Sequence, residues 1–228
     1  MRRLVILALA ACSGDLDPPW QLDHDRIIAV RATPPAIVAG ARSEIDGFLA
    51  VKGSATVQQP PEAVLVISPE SLASVVTLDL DSGKWVVTAP GEAQLAAARV
   101  ELALGPTDPV PLQLGVSYAG QTLVAVKTLR LGVAADNPVL GQPSMNGTPI
   151  ADDADLVVGT LVDVPLSLTV ADTDGVMWLT SCGTLHDHDE PQARLQVEKD
   201  DPTMGEFAVV LRDDAGGVAW RVWKIHAE

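Results

Sequence analysis

Short apolar runs recur along most of this chain, each closed by Gly, Pro, Asp or Ser. In the first half they fall at 27–30, 45–51, 63–67, 75–80, 85–88, 110–118 and 123–131, and Pro34-Pro35 ends the first. Runs of this length and spacing predict β-strands. Within 110–118, Leu112, Leu114, Val116 and Tyr118 alternate with Gln113, Gly115 and Ser117, the period of a strand buried on one face. Asp81-Ser82-Gly83 between two runs predicts a hairpin. One stretch has helical spacing: Leu95, Ala98, Arg99 and Leu102, with Pro90-Gly91 before it and Gly105-Pro106 after it. It reads either as a helix across 92–104 or as a short helical turn followed by a strand from 99 to 104.

Residues 132–138, GVAADNP, interrupt the pattern, and a second series follows at 156–158, 164–170, 176–179, 193–197, 207–211 and 218–225. Phe207, Val209 and Leu211 alternate with Ala208, Val210 and Arg212. Asn146-Gly147, Asp174-Gly175 and Gly216-Gly217 supply turns that call for positive φ. Pro165, if within a strand, belongs at an edge or at the strand's start. The organisation expected is a short tether over 12–25 and two folded units, 26–134 and 135–228.

Many short strands separated by turn signals are the mark of an antiparallel sandwich. The strand rhythm, the unit size and an ending with Arg212-Asp213-Asp214-Ala215-Gly216-Gly217 before Val218-Ala219-Trp220 resemble immunoglobulin-like and fibronectin-III-like domains of bacterial surface proteins. That resemblance implies an all-β chain of two such sandwiches in tandem, to which the helical spacing adds a short helix near 92–98. The spaced Cys and Trp of antibody domains are absent, and the two halves share no residue-level repeat.

A hydrophobic content of 47% is ample for packed cores, while 4% aromatics leaves them to Val, Leu, Ile and Ala. The formal charge is −15. A surface of that sign repels nucleic acid and anionic headgroups, which excludes nucleic acid as a partner.

The N-terminus adds an address. Arg2 and Arg3 precede the uncharged apolar stretch 4–11, which ends in the small residues Ala10 and Ala11. This is the three-part form of a secretory signal, far short of the roughly 20 residues that span a bilayer. Leu9-Ala10-Ala11-Cys12 resembles the lipobox of bacterial lipoproteins. The resemblance implies removal of 1–11, lipidation of Cys12 and attachment to the membrane through that lipid. Ser13 after the cysteine, in place of Asp, points to the outer membrane, at its periplasmic face or the cell surface. Cleavage there also removes Arg2 and Arg3, taking the charge to −17.

Candidate chemistry is sparse. In His186-Asp187-His188-Asp189-Glu190 the two histidines stand two apart, so on a strand they would share a face and offer imidazole ligands to zinc or copper, with Asp187 or Asp189 completing the set. The position of the run between Gly183 and Pro191 favours a loop instead. Asp152-Asp153-Ala154-Asp155, Asp200-Asp201 and Asp213-Asp214 offer oxygen ligands to calcium, without matching an EF-hand loop. Cys182 lacks a partner if Cys12 carries lipid, and reads as a small buried hydrophobe. Trp220 and Trp223 are an odd number apart and face opposite sides of a strand, which offers one as core and one as an exposed platform for a sugar or a partner. No G-x-S-x-G, phosphate loop or dinucleotide fingerprint occurs. The expectation is therefore a non-enzymatic envelope lipoprotein without a cofactor. It would serve as a binding or structural module for another envelope protein or a polysaccharide. The alternatives are a metal-binding protein or metal-dependent enzyme using His186 and His188, and a calcium-stiffened adhesin-like stalk.

Overall fold

The computed structural model describes residues 18–228, Gln121 and Thr173 excepted. Its first half contains β1 (Arg26–Thr33), β2 (Ala36–Ile37), β3 (Arg42–Ala50), β4 (Val57–Gln59), β5 (Ala63–Ser68), β6 (Thr77–Asp81), β7 (Lys84–Thr88), β8 (Val110–Tyr118) and β9 (Leu123–Leu131). One sheet runs β1-β3-β7-β6, with β4 also paired to β3, and the other runs β2-β9-β8-β5. The alternation read in β8 is the cause of its placement: Leu112, Leu114, Val116 and Tyr118 turn inward and are buried. Ser82 and Gly83, both at positive φ, close the β6–β7 hairpin between paired Asp81 and Lys84. This is the twist-matched two-residue turn.

Between β7 and β8 the chain is helical throughout α1 (Glu92–Glu101), so no strand begins at Arg99. Arg99 decides this locally. Two turns from Glu92, it reaches the Glu92 carboxylate at 2.7 Å and the Asp108 carbonyl at 2.9 Å, while Leu95 and Ala98 enter the core. Ala103 at positive φ ends the helix, with Leu104 N–H donating to the Arg99 carbonyl and Ala103 N–H to that of Val100. That is the Schellman closure, made before Gly105 is reached.

The second half contains β10 (Ser144–Met145), β11 (Thr148–Pro149), β12 (Asp155–Val158), β13 (Val164–Ser167), β14 (Gly175–Thr180), β15 (Thr184–His186), β16 (Gln192–Gln196), β17 (Met204–Arg212) and β18 (Val218–Ala227). Its sheets run β11-β10-β13-β16-β15 and β12-β18-β17-β14. Asn146-Gly147 forms the expected positive-φ turn, whereas Gly175 starts β14 in an ordinary strand conformation. The fold is all-β, two sandwiches in tandem, and the halves share a plan. In each, the last two strands form a hairpin, and a short early strand lies parallel to the final one: β2 on β9, β12 on β18. This strand order is the immunoglobulin-like one.

The two cores differ in material. The first is aliphatic, with Ile45, Leu49, Leu112, Leu114 and Leu129 around the one tyrosine, Tyr118. Gly47 lies under the Tyr118 ring, and a Cβ there would strike the phenol oxygen. The second is built on aromatics in contact, Trp178 stacked on Phe207 at 5.7 Å and Phe207 tilted against Trp223 at 5.9 Å. A third apolar cluster joins the halves. Ile28 and Ala29 of β1 and Phe48 of β3 pack there against Ala208 and Val210 of β17 and Trp220 of β18. Among the described residues no helix is long and apolar enough to cross a membrane.

Candidate functional site

Polar groups brace the junction around its apolar cluster. Asn137, in the connection between the halves, donates to the Ala32 carbonyl at 2.9 Å and accepts from Val218 N–H at 2.8 Å. Arg212 donates to the Ile28 carbonyl at 2.7 Å, and Glu206 accepts from Thr56 N–H at 2.6 Å. Lys127 starts on the inner face of β9 and runs out to the β17–β18 hairpin, where its amine donates to the Gly216 carbonyl at 2.6 Å. Arg130 donates to the Asp214 carbonyl beside it. A cleft of about 340 Å³ lies between β1, β9 and that hairpin. Lys127 is 6% exposed, and burial lowers its pKa to about 8, with Asp213 opposing and Arg212 adding to the shift.

Trp220 and Trp223 do face opposite sides, but neither is a platform, being 9% and 3% exposed. The far side of β18 meets the other sandwich instead of water. Trp220 stacks on Phe48 at 5.6 Å, with the Arg31 guanidinium 4.0 Å from its ring centre. Arg31 is itself held by Asp46 at 2.7 Å. Trp223 belongs to the second core and donates to the Ala151 carbonyl at 2.8 Å.

The histidine run is split by its backbone. His186 is the exposed last residue of β15, Asp187 follows at a φ of 55°, and His188 sits half-buried in the turn with Asp189. The His188 carbonyl accepts from Trp178 N–H at 2.7 Å. Nor do the acidic groups converge. Asp152 pairs with Arg221 at 2.7 Å, Asp201 accepts from Glu198 N–H at 2.8 Å and Asp213 from Gly217 N–H at 2.6 Å. Among the described residues no group of three or more His, Cys, Asp or Glu is placed to hold a metal ion. The set read around His186 and His188 therefore does not assemble there. Cys182 is buried, its thiol donating to the Pro202 carbonyl at 3.0 Å, and burial raises its pKa. Cys12 lies outside the described residues.

The surface that sequence reasoning missed is the outer face of β5, β8 and β9. Leu65 on β5, Gly115 on β8 and Val126 on β9 form one cross-strand row, and Ala63, Ser117 and Val124 the next. Leu65, Ile67, Val124 and Val126 are 56%, 46%, 72% and 60% exposed. With no side chain at Gly115, they leave a depression of about 420 Å³. These exposed apolar side chains lie on adjacent strands and form one contiguous patch, unlike scattered single residues. It also lies beside a sheet edge: among the described residues β5 ends its sheet and pairs only with β8. None of Ala63–Ser68 is charged.

The equivalent strand of the second sandwich, β14, also ends its sheet, but its edge is covered. Thr180 N–H donates to the Trp20 carbonyl at 2.9 Å, and Leu22 N–H donates to the Thr180 carbonyl at 3.0 Å. Gln21 forms a parallel bridge to Thr180. The segment preceding β1 thus serves as a partial extra strand on the other sandwich.

No family model matches this chain, and no curated protein matches it in sequence. Among solved structures it is similar to the tandem Ig repeats of Dlar, at 12% identity over 90% of this chain and 97% of that one, with a TM-score of 0.31. It is similar to murine CEACAM1b at 12% identity over 90% and 100%, TM-score 0.30. It also matches the fibronectin(III)-like modules of Clostridium thermocellum CbhA at 14% identity over 90% and 94%, TM-score 0.27. It is the strand order common to both sandwiches that makes the fold immunoglobulin-like.

Proposed function

We propose that this protein is a lipid-anchored, non-catalytic module of a bacterial cell envelope, which presents a binding face on a braced pair of sandwiches. The observation that carries the binding role is the uncharged β5 edge beside the exposed Leu65, Ile67, Val124 and Val126. Solvent-facing apolar residues on an unpaired strand invite aggregation, and soluble proteins ordinarily blunt such an edge with charge, proline or a covering segment. Among the described residues the second sandwich has a cover and the first has only a register shift in β5 between Val66 and Ser68, which suits a face that is filled by a partner. The junction supports a structural side to the role, since its apolar cluster and cross-bonds tie β1 and β3 of the first sandwich, and β9 through Lys127, to the second.

The anchor rests on Leu9-Ala10-Ala11-Cys12 after Arg2 and Arg3. Several acyl chains, at about 0.8 kcal/mol per buried CH2, hold a protein firmly on a bilayer. Labelled palmitate should enter the protein in bacterial cells, and Cys12→Ala should abolish that labelling and shift the protein from the membrane to the soluble fraction. A Cys12→Ala protein that stays fully membrane-bound, or a native chain that never takes label, would defeat the anchor.

A further inference from the structure

The open edge of β5 specifies the chemistry of its occupant. We infer that β5 and the face beside it take an extended polypeptide segment with apolar residues at alternate positions and basic residues at its ends, added as a further strand. This rests on the reading of the chain as a binding module and names what that module binds.

Three observations select this occupant. The first is the form of the site. β5 offers a row of backbone donors and acceptors along its outer side, next to Leu65 and Ile67 on its exposed face. An acyl chain would cover the apolar side chains but leave the backbone groups dehydrated and unpaired, at a cost for each. A strand satisfies both, its backbone on the edge and its alternate side chains on the patch. The molecule already makes this choice at the corresponding β14 edge, where Trp20 and Leu22 supply backbone bonds.

The second observation is charge. Exposed Glu70 follows β5, exposed Glu62 precedes it with its carboxylate accepting from Gly120 N–H at 2.9 Å, β5 has no charge of its own, and the whole chain carries −15. A segment with Lys or Arg at its ends meets a surface of opposite sign. The third tells against a second copy. Two copies meeting at β5 would bring together two surfaces of net charge −15, each with exposed Glu62 and Glu70 beside the strand, and like charge opposes that approach.

A short fluorescent peptide of alternating valine and threonine with lysine at both ends tests this by anisotropy on the soluble Cys12→Ala protein, beside the same peptide ended in glutamate. The lysine-ended peptide should bind about tenfold tighter at low salt, an advantage that shrinks as salt is raised. Leu65→Ser combined with Val126→Ser should remove binding. Both positions are mostly exposed, so an unchanged melting temperature shows that the variant is folded. Hydrogen exchange should slow in β5 on peptide addition and nowhere in β14. Equal binding of the two peptides, binding of neither, or protection confined to another strand overturns the proposal. So does a concentration-dependent dimer that Leu65→Ser dissolves, which would make the occupant a second copy. Recruitment to neutral lipid vesicles through the same residues would overturn it in favour of lipid. Failure in any of these ways leaves palmitate labelling at Cys12 untouched, so the anchor and the peptide face stand or fall separately.

Discussion

β5 and β14 hold the same place in their sandwiches, at the end of the sheet that carries the final hairpin, yet one edge is bare and the other is dressed. Along β14, the Trp20 carbonyl, Leu22 N–H and the His188 carbonyl take up backbone groups that would otherwise face water. Along β5, among the described residues, the ladder holds the pairing with β8 alone. The plan of the fold therefore does not decide how an edge is protected. Segments outside the plan do, and among the described residues none is supplied to β5. The cores differ in the same spirit. The indole N–H groups of Trp178 and Trp223 meet the carbonyls of Glu190 and Ala151 at 2.9 and 2.8 Å, while the buried Tyr118 hydroxyl has no hydrogen-bond partner among the described residues.

The largest effect should come from removing what makes the two halves comparable within one body. Trp220→Ala deletes the ring stacked on Phe48 at the junction and should cost about 3–5 kcal/mol. Calorimetry should then resolve two melting transitions where the parent shows one. Undressing the β14 edge should come next. Leu22→Pro removes the N–H that Thr180 accepts and disturbs a buried side chain, for a loss of about 3 kcal/mol. Hydrogen exchange in β14 should accelerate while β5 is unchanged.

Lys127 gives a pH signature to the junction. Its pKa is lowered to about 8 when folded, from 10.5, so between those values the unfolded chain binds more protons and stability rises with pH. The gain is on the order of 2–3 kcal/mol across that window. Lys127→Met should lose this gain in urea titrations run at pH 7.5 and 10.5, measured against the parent. Smaller again, Tyr118→Phe should stabilise by about 1 kcal/mol in the same assay, because it removes a hydroxyl that is buried without a partner. Last, Leu65→Lys on the bare edge should change stability by less than about 0.5 kcal/mol, as surface substitutions do.

Much of this architecture was legible in residue order, and the parts that were not share a cause. Alternation placed β8 correctly, because a half-buried strand writes its two faces in two kinds of residue. The strands β2, β4, β10, β11 and β15 have two or three residues each, too few to display a period. The expected strands at 75–80 and 164–170 are shorter than drawn. Val75 and Val76 close a turn onto Leu72, and β13 stops at Ser167. The odd spacing of Trp220 and Trp223 did put them on opposite faces, but whether the far face meets water or protein depends on a contact between distant parts of the chain. In the same way, the apolar run 63–67 has no alternation that tells one face from the other. Nothing local reveals that Leu65 and Ile67 stay exposed. Residues 13–25 carry no period, so the pairing of Trp20 and Leu22 with Thr180 had no signal to find.

That pairing has a mechanical consequence. A pull entering the body at Pro18 does not arrive at β1 alone, because Trp20 and Leu22 are fastened to Thr180 before the chain turns into Arg26. Tension is split between two solids at the point of entry, as a rope made fast to two cleats loads both hulls. Peeling the first strand away would require those bonds on the neighbouring sandwich to slip first.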